Sequence, residues 1–197
     1  TKTSENEIVE LWDGTLRMFY RSNNNRISYA DITKDEASGE YVMGSEVIME
    51  VSSVSNCNVS ALTFSPDIEI DGRQVILVSC PGSAGGTLTG MGRANGRIFT
   101  FLVDEDETGN PMELYHTFSV PGSETGFVYS CLTELSDGRI GMLWEPNHST
   151  MYFDTYDLKE IMGDQISVEL TKGGEPYTIL AGDNSVISGN ADASVAK

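Results

Sequence analysis

The chain has 197 residues, enough for one large domain or two small ones. Its formal net charge is −18, from 30 acidic against 12 basic side chains, which excludes a protein that neutralises a row of nucleic-acid phosphates. No apolar run is long enough for a membrane-spanning helix, and 20 glycines with recurrent Asx-Gly pairs point to many turns and short strands, the pattern of an all-β protein.

Residues 5–32 read as three strands, Ile8–Leu11, Leu16–Arg21 and Ile27–Ala30, divided by Trp12-Asp13-Gly14 and Asn23-Asn24-Asn25. Lys34–Glu40 is an acidic surface loop. Further strands are expected at Glu46–Val51, Val59–Phe64 and Gln74–Cys80, the last after an Ile70-Asp71-Gly72 turn. Residues 81–92, PGSAGGTLTGMG, form a long loop of the kind that often carries function. Strands at Arg97–Val103 and Leu114–Val120 flank the acidic loop DEDETGNP. Phe127–Leu135 and Ile140–Trp144 make a hairpin closed by Asp137-Gly138, with Tyr129 inside its first strand. A tyrosine so placed is ordinarily core. Met151–Tyr156 is another strand, and Leu158–Met162 forms one helical turn. From Thr171 on the chain is poor in aromatics, and Ile179–Ala196 reads as a loose tail or the start of a neighbouring module.

The opening, TKTSENEIVEL, has no apolar leader pattern and fits a mature start or a piece of a longer chain. Cys57, Cys80 and Cys131 are odd in number and lie in apolar contexts, which predicts buried free thiols rather than a disulfide framework. Zinc-type spacing is absent, and His116 and His148 read as surface residues.

One internal repeat organises the chain. ELWDGTLRMFY at 10–20 returns as ELSDGRIGMLW at 134–144, an offset of 124 residues. That equals two units of about 62 or three of about 41, which brackets the blade of a β-propeller. The Ile70-Asp71-Gly72 turn is a weaker third echo. A β-sandwich fits the strand count but explains the repeat less readily. Glu5 lies five residues before Glu10, and Tyr129 five before Glu134, so the two occupy equivalent places in two blades. Inner strands converge at a propeller axis, which would bring this carboxylate and this phenol together. A carboxylate can take a phenolic proton and make the oxygen a nucleophile. Sialidases are the glycosidases that use such a tyrosine. Their substrate carries a carboxylate on its anomeric carbon, which would repel an anionic Asp or Glu and calls for an arginine clamp.

The motifs then carry a family resemblance. Residues 4–11, SENEIVEL, with 13–21, DGTLRMFYR, resemble the bacterial sialidase segment that holds a catalytic glutamate and a triad arginine. Arg93-Ala94-Asn95-Gly96 resembles the family's Arg-x-Asn-Gly segment, and residues 127–141, FVYSCLTELSDGRIG, resemble the segment of the nucleophilic tyrosine. The resemblance covers roughly residues 4–160. It implies Tyr129 as nucleophile, Glu5 as its base, and Arg21 and Arg93 as substrate-carboxylate ligands, with Arg93 preferred to Arg97. Arg17, Arg26, Arg97 and Arg139 stay structural or surface residues. It implies a six-bladed propeller of which this chain is the C-terminal half, about three blades, in residues 1–170, with 171–197 as its end and tail. The acid/base aspartate, a further arginine and the N-acetyl pocket would come from an N-terminal half, a companion chain or missing segment. The Asp-box repeat is absent, with a worn relic at Asp104–Gly109.

The implied function is exo-sialidase, a retaining glycoside hydrolase acting on sialylated glycans without metal or cofactor, in a secreted or surface-bound bacterial protein. An intramolecular trans-sialidase uses the same residues. A non-catalytic sialoside-binding propeller would need neither Glu5 nor Tyr129, and a scaffold propeller would keep the tyrosine as core.

Overall fold

The computed structural model describes residues 4–21, 25–49, 51, 54, 57–82, 93–104, 111–163, 170–172 and 175–177. The chain divides into two units, Thr1–Gly163 and Asp164–Lys197. In the first unit, one antiparallel sheet runs β1 (Ser4–Glu10), β2 (Leu16–Arg21), β3 (Ser28–Lys34) and β4 (Tyr41–Met43), with β5 (Val47–Ile48) also on β3. In a second sheet, β6 (Ser60–Thr63) and β7 (Glu69–Ile70) both pair with β8 (Arg73–Gly82), followed by β9 (Ala94–Val103) and β10 (Met112–Ser119). The third is β11 (Ser130–Glu134), β12 (Ile140–Asn147) and β13 (Thr150–Tyr156). A single turn of helix, α1 (Leu158–Ile161), follows, its N-cap Asp157 accepting from Lys159 N. The second unit holds a hairpin, β14 (Leu170–Lys172) with β15 (Glu175–Tyr177). No helix among the described residues is long and apolar enough to cross a membrane.

Each of the three sheets is an up-and-down meander, and β6 lies against β1 on one side and β11 on the other. This is part of a β-propeller, with β1, β6 and β11 as inner strands. The middle sheet is covered on both faces. Ile76, Val78 and Cys80 of β8 share a core with Phe19 and Tyr29 of the first sheet and with Ile27 just ahead of β3. The alternating Val75 and Leu77 meet Leu132, Ile140, Met142 and Trp144 of the third. Burial on both faces is why residues 75–78 read as an unbroken apolar run rather than an alternation. At its end, buried Gln74 ties the first two sheets together. Its Oε1 accepts from Trp12 N at 3.0 Å, and its Nε2 donates to Glu10 O at 3.2 Å and Thr63 Oγ1 at 2.7 Å.

The repeat folds as two copies of one hairpin. Leu11 N donates to Thr15 O at 2.8 Å and Gly14 N to Leu11 O at 2.9 Å; Leu135 N to Arg139 O and Gly138 N to Leu135 O have the same lengths. Asp13 and Asp137 each accept from the backbone N two residues on. Gly14 and Gly138 supply the positive φ, 86° and 80°. The third echo sits at the matching place between inner and second strand. Its turn is tighter, with Asp71 and Gly72 both left-handed at φ 53° and 75°, as a two-residue I′ hairpin needs.

Several expectations are corrected. The strand expected from Phe127 starts at Ser130, and Tyr129 precedes it. The Glu46–Val51 strand shrinks to Val47–Ile48, and an additional strand forms at Tyr41–Met43. Cys57 and Cys80 are buried free thiols, but Cys131 is exposed, because alternation from buried Leu132 turns it to the open face of the third sheet. His116 is half-buried rather than superficial, its ring packed where a Gly163 Cβ would stand. Pro81 and Gly82 end β8, whereas the rest of the expected Gly-rich loop, residues 105–110 of the acidic loop, and the tail at 179–196 lie outside the described residues.

Candidate active site

Glu5 and Tyr129 come from sheets that do not pair with each other. They meet because the middle sheet holds β1 and β11 on its two sides. Tyr129 Oη donates to Glu5 Oε1 at 2.9 Å, across 124 residues of sequence. Arg21 Nη1 donates to the other oxygen, Glu5 Oε2, at 2.8 Å. The Arg93 guanidinium carbon lies 5.8 Å from the centre of the Tyr129 ring. The four residues named from the sequence thus form one cluster. Arg97 lies in the β9 ladder opposite Cys80.

Backbone geometry explains how each side chain arrives. The β1–β2 register shifts between Ser4 and Asn6, and Glu5 sits at this bulge with φ 57°. A bulge re-aims one side chain out of the alternation, and a left-handed glutamate is strained. Arg21 ends β2, opposite Ser4, so the hairpin presents both members of the ion pair at one end. The Arg93–Gly96 segment runs along the loop that leads to Tyr129. Phe127 N donates to Arg93 O at 3.0 Å, Asn95 N to Ser123 O at 2.7 Å, and Val120 N to Gly96 O at 2.8 Å. Asn95 is left-handed at φ 53°. A Cβ on Gly96 would stand 2.3 Å from a Phe127 ring carbon, so glycine is what lets that ring close down. Phe127 in turn stacks on Trp144, with ring centroids 5.2 Å apart.

The electrostatics follow from these contacts. Partial burial pushes the Glu5 carboxyl up. Hydrogen bonds from Arg21 and Tyr129, with the charges of Arg21 and Arg93, outweigh it and hold the group below the ordinary carboxylate value. The hydrogen bond to Glu5, then burial, raises the Tyr129 phenol, against a smaller opposing contact from Arg93. At rest, therefore, Glu5 is an anion and Tyr129 a neutral phenol. Glu5 in turn raises Arg21. Cys57 is 2% exposed at the floor of this cluster, and burial pushes its thiol up. Among the described residues no group of three or more His, Cys, Asp or Glu could hold a metal.

Three contributions were missed in the sequence: the bulge at Glu5, the left-handed Asn95, and the place of Cys57. None has a one-letter signature, since each arises from strand register or from packing between sheets. A shallow cleft lined by Leu11, Trp12, Asp13, Arg73 and Gln74 lies at the far end of β1 from Glu5, away from the cluster.

No family model matches the chain. It is 30% identical over 178 residues to the anhydrosialidase of Macrobdella decora, covering 82% of this chain and 22% of that protein. It is 29% identical over 143 residues to sialidase B of Streptococcus pneumoniae, covering 73% of this chain and 19% of that protein. Among solved structures, a leech intramolecular trans-sialidase complexed with 2,7-anhydro-Neu5Ac matches with a TM-score of 0.64 and 26% identity, over 81% of this chain and 24% of that one. The chain spans about a fifth of the length of the curated relatives it matches. In sequence and in fold, it is a sialidase-like segment that makes up part of a β-propeller of the sialidase type.

Proposed function

We propose that this chain supplies half of the active site of a retaining exo-sialidase acting on terminal sialic acid of glycoconjugates. One observation carries the reading: the Tyr129 phenol donates to the Glu5 carboxylate at 2.9 Å, with Arg21 and Arg93 beside the pair. Arg21 and Arg93 bind the substrate carboxylate. Tyr129 attacks the anomeric carbon as its proton passes to Glu5, giving a tyrosyl glycoside. The raised phenol and depressed carboxylate make that transfer uphill at rest. An arriving carboxylate competes for Arg21, which weakens the hold on Glu5 and strengthens it as a base. With a net charge of −18, long-range steering opposes an anionic substrate, so attraction acts at short range through the arginines.

The proton donor for the leaving group and a further arginine belong to an N-terminal half, in a companion chain or a preceding segment. Sialylated glycans are displayed outside cells, and a secreted or surface location goes with this reading. The experiment is made on the completed protein. Tyr129→Phe abolishes the covalent adduct formed with a fluorinated sialic acid while sialoside binding persists; an adduct that survives the substitution sinks the assignment. A non-catalytic sialoside binder leaves no adduct in the parent protein.

A second reading, intramolecular trans-sialidase, is favoured by the likeness to an anhydrosialidase and to a leech intramolecular trans-sialidase. Both readings share the tyrosyl intermediate, which is resolved by water or by a hydroxyl of the sugar itself. Mass spectrometry separates them, because the anhydro product is lighter than free sialic acid by one water.

A further inference from the structure

Tyr129 lies outside the run of β11, yet its phenol must stay within hydrogen-bond reach of a carboxylate carried by another sheet. On one side its backbone continues the third sheet's ladder. Val128 N donates to Glu145 O at 2.8 Å, and Glu145 N to Tyr129 O at 2.9 Å. These bonds fix Tyr129 relative to β12 but not relative to Glu5. That distance is set across the middle sheet, by polar contacts that bracket Tyr129 in sequence. The Cys57 thiol donates to Val128 O at 2.9 Å, and the hydroxyls of Ser79 and Ser130 bond at 2.8 Å. Leu132 N donates to Ser60 Oγ at 3.0 Å. The side toward β1 has a matching contact, from Ala61 N to Glu7 Oε2 at 2.9 Å. A series of bonds through Ala61 and Ser60 therefore links Glu7, two residues from Glu5, to Leu132 of β11, the strand that follows Tyr129.

Cys57, Ser60, Ser79 and Ser130 are all buried. Small apolar side chains would fill these places at no desolvation cost, whereas a satisfied buried polar contact fixes one register. We propose that Cys57 and the Ser79–Ser130 hydroxyl pair are positioning residues for Tyr129, holding its phenol on Glu5 from the middle sheet. The inference rests on the proposed role of Tyr129, but its geometric content can be read without turnover.

Among the described residues, the charged and titratable groups around the phenol are Glu5 on β1, Arg21 on β2, Cys57 ahead of β6 and Arg93 ahead of β9. The measurement is the alkaline titration of Tyr129, taken as the ultraviolet difference between each full-length protein and the same protein carrying Tyr129→Phe. Cys57→Ala and Ser79→Ala release the phenol from Glu5, and its midpoint falls toward that of a free tyrosine. Cys57→Ser retains a donor and keeps the parent midpoint. Unchanged midpoints in both alanine variants overturn the proposal, as does a fall in Cys57→Ser equal to that in Cys57→Ala. The two alanine variants alter separate elements, so either decides where the other does not fold. In the completed enzyme the two alanine variants lower kcat about tenfold, short of the roughly 10²-fold of a 1 Å misplacement. KM stays within about twofold of the parent, because the arginines are not the groups released. Failure of this kinetic arm alone bears on the sialidase reading; failure of the titration arm bears on the positioning.

Discussion

Ile8 and Leu132 hold the same place in the repeat, yet Ile8 is 49% exposed and Leu132 only 5%. One strand further on the order reverses: Phe19 is fully buried, whereas its counterpart Leu143 is 39% exposed. The two hairpins have the same turn and the same pairing, so local sequence is not the cause. Each sheet has two apolar faces, and the middle sheet covers one face of each neighbour, a different one on each side. The first sheet is left with Ile8, Met43 and Ile48 exposed on one face; the third with Leu143, Met151 and Phe153. Contiguous exposed apolar side chains mark a candidate interaction surface. They fit the further blades proposed above, since the buried copy of each position shows what a neighbouring blade does to it.

Truncation at paired positions breaks this comparison most sharply. Leu132→Ala is expected to cost about 2–5 kcal/mol and Phe19→Ala about 3–5 kcal/mol, as buried truncations do. Ile8→Ala and Leu143→Ala, at the matching places, stay within about 0.5 kcal/mol in the chain alone. Denaturant midpoints measure all four. Equal costs at residues 8 and 132 would show that the faces are not inequivalent. Once a companion half is bound, Ile8→Ala should weaken that association.

A smaller effect separates the two halves of the acid–phenol pair. Glu5 is left-handed at a bulge, while Tyr129 is not among the residues with positive φ. Glu5→Gly therefore leaves the chain more stable than Glu5→Ala by about 1 kcal/mol, because glycine alone takes this backbone without penalty. At residue 129 the order inverts, with glycine the less stable. A thermal or denaturant series on the four variants checks this, and alanine at residue 5 matching glycine would remove the strain from the account. Strain held by a functional side chain is the usual stability cost of a site.

Much of this geometry is legible in the sequence, for identifiable reasons. The E-L-x-D-G repeat encodes a hairpin whose glycine and aspartate each have one local task, so it marks the turn to the residue, while the strand ends differ from the expected ones. From it, the meeting of Glu5 with Tyr129 followed as a consequence of two equivalent inner strands. Residues 75–78 were readable as a strand but not as the middle of three sheets. The exposure of Cys131 was missed because an apolar context says nothing about which face of a sheet finds a neighbour. Tyr41–Met43 went unseen because a three-residue outer strand is too short to show an alternation.

The smallest expected effect is on the pH dependence of stability, and it distinguishes the two partners. Glu5 is depressed in the folded chain. Its contribution is full above the ordinary carboxylate value of 4.5 and is lost as pH falls through the folded value. Tyr129 is raised, so its contribution is full below the ordinary phenol value of 10.0 and is lost as pH rises through the folded value. The window of full stabilisation lies between the two. Glu5→Gln removes the acid limb directly and the main cause of the alkaline limb, so both should flatten. Tyr129→Phe removes the alkaline limb but only weakens the acid limb, because Glu5 loses the phenol's hydrogen bond while Arg21 still holds it at 2.8 Å. Unfolding free energies of the three proteins across this range test the asymmetry. An acid limb lost in Tyr129→Phe would mean that the phenol, not Arg21, keeps the carboxylate ionised.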